Sequence, residues 1–480
     1  MSKPQGFYTP SRRQFLVAGI SLGTTMLASA CSSEAPASPP PAATSAPVAS
    51  TPAPAPAKAS SQSTAVPAAP VAQANASQSS LKGTLSWWGP VHHPLVDTAA
   101  GFQKHNPDVK LDWQHPTDWK TKFKATLASG TNVPDLMWME AFEIQDLGSK
   151  DVLLDLTERI KPIKDQFSPG KLAETFLVKK QQYVAMPGDT GLVGLWYRPD
   201  VLAKAGLKDF TPDLAFDPDF LNYAGEIHQK AGASAFFFPS AGYAQPFEIF
   251  LAQLGGSITS SDGSQVTVDD DKGVAAMNLV KSLWQTKANL DTTFQSPDYW
   301  GAIKAGKLAS DFMPAWMRGF IETEVKTAAD GAGQWRLMPL PTLKNGESRT
   351  AQIGGASLIS TKFTKVPDLV WSFMQYSLGS MEGCTIAGNW GIIPAYLPYL
   401  GSSAFTDIKS PLFGDFQFAK VWAQLAKELS PKYARTAVFG EADTEITNDI
   451  MPILQGKTTV VEGMHTMADK IRQANQRYQS

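Results

Sequence analysis

The chain predicts a mixed α/β fold built on a mainly parallel sheet, and three observations carry that prediction. Short apolar runs of strand type alternate with segments whose apolar residues recur every three or four positions. The stretch from Leu81 to Ser480 is about 400 residues long, enough for two or three core units. Only Cys31 and Cys384 are present, so the folded part closes no disulfide and depends on its apolar core, where Cys384 is expected as a small buried residue.

Gly83 to Trp88 reads as the first strand. Leu95, Ala99 and Phe102 then mark a helix face, and Val109 to Trp113 a second strand. Trp119, Phe123 and Leu127 give the next helix, with Gly130 as its cap. Pro134-Asp135 introduces a buried-type strand, Leu136 to Met139. Two more strands, Tyr183 to Pro187 and Leu192 to Tyr197, flank the loop 188–191. Helical segments are expected near 218–231 and 273–287, a strand over Thr350 to Ser360 with Gly354-Gly355 inside it, and helices after 420 separated by turns at Gly440 and Gly456. On an open parallel sheet, ligands bind beyond the carboxyl ends of the strands. That rule points just past Trp88, Met139 and Met186.

The N-terminus carries an address. Arg12-Arg13 in Ser-Arg-Arg-Gln-Phe-Leu is a twin-arginine export signal. The apolar stretch that follows, Phe15 to Ala30, is interrupted by Gly19, Gly23, Thr24 and Thr25 and is too short and too weakly apolar for a bilayer span. It leads to Ala28-Ser29-Ala30-Cys31, similar to a lipoprotein cleavage site with Cys31 as the lipid attachment point; Leu27 stands one place earlier than is usual. Residues 1–31 are thus expected to be a signal peptide and 32–80 a disordered tether, since Pro, Ala and Ser supply 37 of its 49 residues. Stretched, the tether reaches on the order of 150 Å.

The net charge is −2, and removal of Lys3, Arg12 and Arg13 with the signal leaves −5, with no basic block. Nucleic acid is therefore not an expected partner. Six histidines, no cysteine cluster, no H-E-x-x-H and no G-x-S-x-G argue against a metal or hydrolase site, and no cofactor is expected. Gly301 to Lys307 imitates a phosphate-binding loop, but Leu308 replaces the metal-binding hydroxyl; the segment reads as a helix ending before a strand. Asp269 to Gly273 imitates a calcium loop, but Val280 stands at its twelfth position; it reads as a turn and helix cap.

Several segments, in order across about 390 residues, together resemble the extracellular solute-binding protein family 1, the carbohydrate-type binding proteins of ABC importers. They include Leu85 to Trp88, Phe102 to Val109, Trp119 to Phe123, Leu154 to Thr157, Val184 to Pro187 and Trp196 to Asp200. Ala305 to Ala309 ahead of Met313 and Trp316, Pro339 to Pro341 ahead of Gly354-Gly355, Pro394, and Gly456-Lys457 complete the series. Thr211 to Phe220 departs from it by lacking the usual Thr-Trp before its helix. The resemblance implies a type II periplasmic-binding-protein-like fold of two lobes joined by crossing hinge segments. It places the solute-binding domain at 81–480, with lobe 1 at about 81–190 and 352–388 and lobe 2 at about 195–350 and 389–480. It implies a monomeric, non-enzymatic protein that closes around a sugar or sugar-like solute and delivers it to ABC permease subunits driven by an ATPase. With the lipid on Cys31 it would sit outside the cytoplasm, anchored to the cell membrane.

A sugar offers apolar ring faces edged by hydroxyls, so its site needs aromatic platforms together with carboxylates or amides. Trp88 ends the first strand and is a platform candidate, whereas Trp87 alternates into the core. His92, like its neighbour His93, lies in the following loop as a hydroxyl partner or helix start. Glu140 follows the third strand, as a hydroxyl acceptor or a helix-start acid. Asp189 sits by a crossover, as a ligand contact or in turn chemistry. Trp316 is a stacking candidate on the resemblance. Gly355 allows either close backbone approach to a ligand or tight strand packing. Tyr243 and Trp390 flank cleft loops, and Arg435 is a further candidate. The rival readings are a secreted carbohydrate-active enzyme, which needs two carboxylates roughly 5–10 Å apart, a structural or chemoreceptor lipoprotein, and a binding protein for another solute such as a polyamine.

Overall fold

The computed structural model describes residues 81–89, 93–430 and 432–479. The signal peptide, Cys31, the tether and His92 lie outside the described residues.

Four early strands and one late one build a five-stranded sheet. Its strands are β1 (Gly83–Trp88), β2 (Val109–Gln114), β3 (Leu136–Glu140), β6 (Ala185–Met186) and β12 (Ala356–Ile359), in the order β2-β1-β3-β12-β6. Helices α1 (Pro94–His105), α2 (Trp119–Ser129) and α3 (Ala141–Ser149) connect the early strands. The start of α1 is written locally. His93 is its cap, and its Nδ1 accepts from Leu95 N at 3.2 Å. Burial lowers the His93 pKa to about 3, which keeps the ring neutral and that nitrogen an acceptor. His93 thus fills the helix-start role. Gly130 closes α2 in a left-handed conformation, as its position predicted.

Alternation along the strands sorts the core into two layers. Leu85, Trp87, Leu136 and Leu358 meet Leu95, Phe102, Leu369 and Phe373 on one face. Met137, Met139 and Ile359 meet Phe123, Ile144 and Leu147 on the other. Each such side chain contributes about 1.5–3 kcal/mol when fully buried. Trp87 has no exposed surface, in keeping with its expected core position.

The second sheet is β10-β7-β11, from β7 (Val193–Tyr197), β10 (Ser310–Pro314) and β11 (Arg336–Met338). Trp196, Trp335 and Trp422 pack in the core on one side of it. Two two-stranded pairs complete the sheets among the described residues: β4 (Phe176–Leu177) with β5 (Gln182–Tyr183), and β8 (Phe236–Phe237) with β9 (Asn289–Leu290).

Four expectations are corrected. The sheets are not mainly parallel. β1 is parallel to β2 and β3, but β12 is antiparallel to β3 and β6, and β7 is antiparallel to β10 and β11. Periodicity identifies a strand but not the direction of its partner. The stretch 183–187 splits, because β5 pairs with β4 while β6 joins the large sheet. Gly354 and Gly355 precede β12 rather than lying in it, both at positive φ. Gly440 lies inside the helix Phe439–Leu454, whereas Gly456 does mark a turn.

Three segments pass between the two sheets and bond to one another. Asp189 bridges to Pro394 and Leu192 to Gln352. Thr190 N donates to Ile393 O at 3.0 Å, and Ile353 N to Gly191 O at 3.0 Å. The imitation motifs resolve as expected. Residues Pro297–Lys304 form a helix before β10, and Asp270 caps the helix Asp271–Gln285 by accepting from Gly273 N at 2.8 Å.

Candidate functional site

The crossing segments place two chemically different walls beside each other. The first is aromatic. Trp316 follows β10 and opens the helix Met317–Glu324. It is half-buried, and its indole Nε1 donates to Ile353 O at 3.1 Å, which fixes the ring against a crossing segment. One helical turn on, Phe320 meets it edge-on at 5.9 Å between centroids, and Trp390 meets Phe320 at 6.4 Å. Phe320 is 40% exposed, unusual for a large apolar ring. Gly319 permits the approach of Trp390, since a Cβ there would stand 3.0 Å from Trp390 O.

The second wall is ionic. Glu140 ends β3, and its backbone N–H donates to Glu143 Oε2 at 3.0 Å as α3 begins. Its carboxylate accepts from Arg435 Nη2 at 2.7 Å. Arg435 Nη1 donates to Gly354 O at 2.9 Å, and its guanidinium lies 4.4 Å from the Phe439 ring centroid. Gly354 and Ile353 are adjacent, so one turn of backbone holds Trp316 on one side and Arg435 on the other. Burial pushes the Glu140 carboxyl up, but the Arg435 charge and hydrogen bond outweigh it and hold the pKa below its ordinary value. Burial opposes the Arg435 charge, yet Glu140, Glu174 and Glu248 raise its pKa further.

Glu248 and Asp443 lie behind this pair. Burial, and then the neighbouring Asp443 charge, drive the Glu248 pKa well above the carboxylate range; burial raises Asp443 as well. Two acids so placed raise the cost of ionising both, which favours a proton on Glu248. Glu248 Oε1, Tyr433 OH and Arg435 Nε are buried without a partner among the described residues. Unmatched polar atoms of this kind are costly unless a bound molecule satisfies them.

The remaining candidates occupy other positions. Asp189 is 5% exposed, and its Oδ1 accepts from Gly191 N at 3.1 Å and Ile393 N at 3.3 Å, the geometry of turn chemistry at the crossing. Gly355, at φ 79°, packs on that same turn, where a Cβ would stand 2.6 Å from Asp189 O. Its own carbonyl accepts from the buried Lys171 at 2.8 Å, and Lys171 pairs with Glu174 at 2.6 Å. Tyr243 donates to Gln245 and lines a small cavity with Tyr299 and Asp311. Trp88 is half-buried and packs against the core layer that contains Phe123. The structure therefore brings Trp316, Trp390, Glu140 and Arg435 into one connected set. Phe320, Glu248 and Asp443 were missed. A helix with Trp and Phe four residues apart is the signal that finds Phe320; nothing local singles out the two acids. Among the described residues no group of three His, Cys, Asp or Glu is arranged to hold a metal.

Two sheets joined by crossing segments, with an aromatic and an ionic wall at the crossing, define a two-lobed α/β binding protein. The chain belongs to the bacterial extracellular solute-binding proteins, whose family model matches residues 93–382. The arabinooligosaccharide-binding protein of Bacillus subtilis is 26% identical over 65% of this chain and 74% of its own length. The lactose-binding protein of Rhizobium radiobacter is 25% identical over 57% of this chain and 65% of its own length. The fold matches that of an ABC transporter associated binding protein of B. animalis subsp. lactis in complex with β-1,6-galactobiose, with TM-score 0.69, 21% identity and 83% and 98% of the two chains covered. It also matches the GacH receptor of Streptomyces glaucescens, with TM-score 0.65, 22% identity and 82% and 99% covered. Members of the family bind solutes outside the cell, and no described helix is long and apolar enough to cross a membrane.

Proposed function

We propose that this protein captures a sugar between its two lobes and hands it to the permease of an ABC importer. The observation that carries the reading is the half-exposed Trp316–Phe320–Trp390 shelf joined through residues 353–354 to the Arg435–Glu140 pair. A ring face lies on the shelf while hydroxyls reach the charged pair. The sugar-binding names of the relatives support the same class of ligand. Lobe 1 takes about 81–190 and 352–388, and lobe 2 about 195–350 and 389–480. Trp88, Asp189, Tyr243 and Gly355 serve as flanking or hinge positions around the two walls, and His92 stays a ligand-contact candidate from the sequence. The chain works as a monomer without catalysis, exported by the twin-arginine route and held to the cell membrane by a lipid on Cys31 with 32–80 as leash; an ATPase drives the permease.

The test is tryptophan fluorescence and melting temperature of the full chain, titrated with mono-, di- and trisaccharides, with spermidine and sulfate as controls. Ligand binding raises the melting temperature by mass action. A saturable response to a sugar that is lost in Trp316→Ala supports the reading. Response to spermidine and to no sugar replaces the ligand class and leaves the family unchanged. Turnover of the bound sugar would favour the enzyme instead.

A further inference from the structure

The helix that carries Phe320 also carries a buried cation. Trp316 and Phe320 stand four residues apart at the start of Met317–Glu324 and share a face. Arg318, two residues from each, turns the other way and is only 4% exposed. Its Nη2 donates to Gly388 O at 2.6 Å and to Asn389 O at 3.0 Å. Both carbonyls belong to the last turn of the helix Met381–Trp390, which carries the third ring of the shelf. The last carbonyls of a helix lack partners within it and form its negative dipole end, so a cation is favoured there. The Arg318 guanidinium also lies 5.2 Å from the Phe418 ring centroid, and Glu322 Oε1 stands 3.9 Å from its Nε.

The two helices meet through glycines. A Cβ on Gly319 would stand 3.0 Å from Trp390 O, and one on Gly391 would stand 3.1 Å from Gly319 N. Gly391 has φ 131°, a conformation that favours glycine. The backbones therefore touch, and Arg318 supplies the side-chain hydrogen bonds that join them. Their other attachments differ. Met317–Glu324 follows β10 of the second sheet, whereas Met381–Trp390 packs on α1 and on the helix Pro367–Gly379, beside the five-stranded sheet. The shelf is thus assembled from two separately anchored helices. Arginine suits the joint because its planar fork reaches two carbonyls while its face lies on a ring, which a lysine cannot do.

We infer that Arg318 is a positioning residue for the solute site: it clamps the end of the helix that carries Trp390 to the helix that follows Trp316, and so sets the spacing of the three rings before a solute arrives. Such preorganisation raises affinity by lowering the ordering cost of binding. The inference rests on the reading of the shelf as the ligand surface, and it adds the residue that builds the shelf.

The test is fluorine NMR of the full chain labelled with fluorotryptophan, beside calorimetric titration with maltose, lactose and arabinotriose. Trp87→Phe, Trp316→Phe and Trp390→Phe assign the signals. In Arg318→Met the solute-free Trp390 signal is expected to shift or broaden while that of core Trp87 stays in place. Affinity for the sugar that binds is expected to fall about tenfold in Arg318→Met and about threefold in Arg318→Lys, which keeps the charge. In a Trp390→Ala background, Arg318→Met should cost less than about twofold more, because it acts through that ring. Should Arg318→Met fail to fold by its melting curve, Arg318→Lys is read in its place. An unmoved Trp390 signal overturns the positioning role. So does an equal affinity loss with and without Trp390. Binding of no sugar by the unaltered protein overturns the sugar reading, and the solute-free spectra then decide the clamp on their own.

Discussion

The aromatic and ionic walls face the same crossing but are held by opposite means. Trp316 depends on one hydrogen bond to Ile353 and on edge contacts, and Phe320 is partly open to solvent. Arg435 is 6% exposed and is committed to Glu140, Gly354 and Phe439 at once. One wall offers apolar area that a ligand can cover, and the other is wired into the backbone turn that joins the sheets. The difference teaches which wall can be altered alone: changes to the shelf should register in binding, and changes to the charged pair in the fold itself.

The largest effect should therefore come from Arg435→Ala. It leaves the partly exposed Glu140 without its partner and frees Gly354 O, a situation that costs about 2–3 kcal/mol. Denaturant unfolding would show a lower midpoint with little change in slope. A loss under about 1 kcal/mol would mean that water reaches Glu140 freely and that the ionic wall is no more structural than the shelf. Trp316→Ala should reverse the pattern. Removing a stacking anchor costs about 2 kcal/mol of binding, or roughly 30-fold in affinity, with a smaller loss of stability than Arg435→Ala. If its stability loss equals that of Arg435→Ala, the contrast between the walls disappears.

The two walls were also unequally legible in the sequence. Strands β1, β2, β3 and β7 show as apolar runs, and the caps at Gly130 and Asp270 follow from local backbone chemistry. Trp316 was singled out by the family resemblance, as an aromatic following Met313-Pro314-Ala315. Its companion Phe320 lies in a helix of eight residues, too short for a periodic pattern to mark an outward ring. The ionic wall depends on pairing between residues far apart in the chain. Glu140 meets Arg435, and β12 meets β3, only once the crossing segments are in place. The antiparallel entry of β12 escaped for the same reason. Glu248 escaped because it lies in Gln245–Gln253, a helix buried on nearly every side, where an acid resembles a misplaced surface residue. Asp189 illustrates the reverse case, since the residue type that binds hydroxyls is also the type that stabilises turns.

A third measurement sharpens the comparison from within the ionic wall. Glu248 faces Asp443, Arg435 and Glu140, and burial with the Asp443 charge lifts its pKa well above the ordinary carboxylate value. The folded protein then keeps a proton that the unfolded chain releases as pH rises past about 4.5. The stability contributed by that proton is complete below the unfolded value and is lost as pH rises through the folded one. Glu248→Gln removes the proton from the balance. Unfolding free energy should fall between pH 5 and 8 in the unaltered protein more steeply than in Glu248→Gln, by on the order of 1 kcal/mol at the alkaline end. Parallel curves would show that Glu248 keeps no extra proton in the folded state, and Asp443→Asn tests whether the neighbouring charge holds it there.

The smallest effect should come from Phe320→Ala. The ring contributes two edge contacts and is already 40% in solvent, so its removal should change stability by no more than about 0.5 kcal/mol. If the shelf is a ligand surface, the loss appears in affinity instead, at about 0.5–1.5 kcal/mol for aromatic contacts, or roughly a few-fold in the dissociation constant. Calorimetric titration and a melting curve on the same preparation separate the two. Equal affinity losses in Phe320→Ala and Trp316→Ala would make the shelf a single unit in which Trp316 cannot present its face without Phe320 at its edge. Loss of stability with unchanged affinity would return Phe320 to packing and leave Trp316 and Trp390 as separate contacts. The size of this small effect decides whether the aromatic wall, like the ionic one, acts as a connected whole.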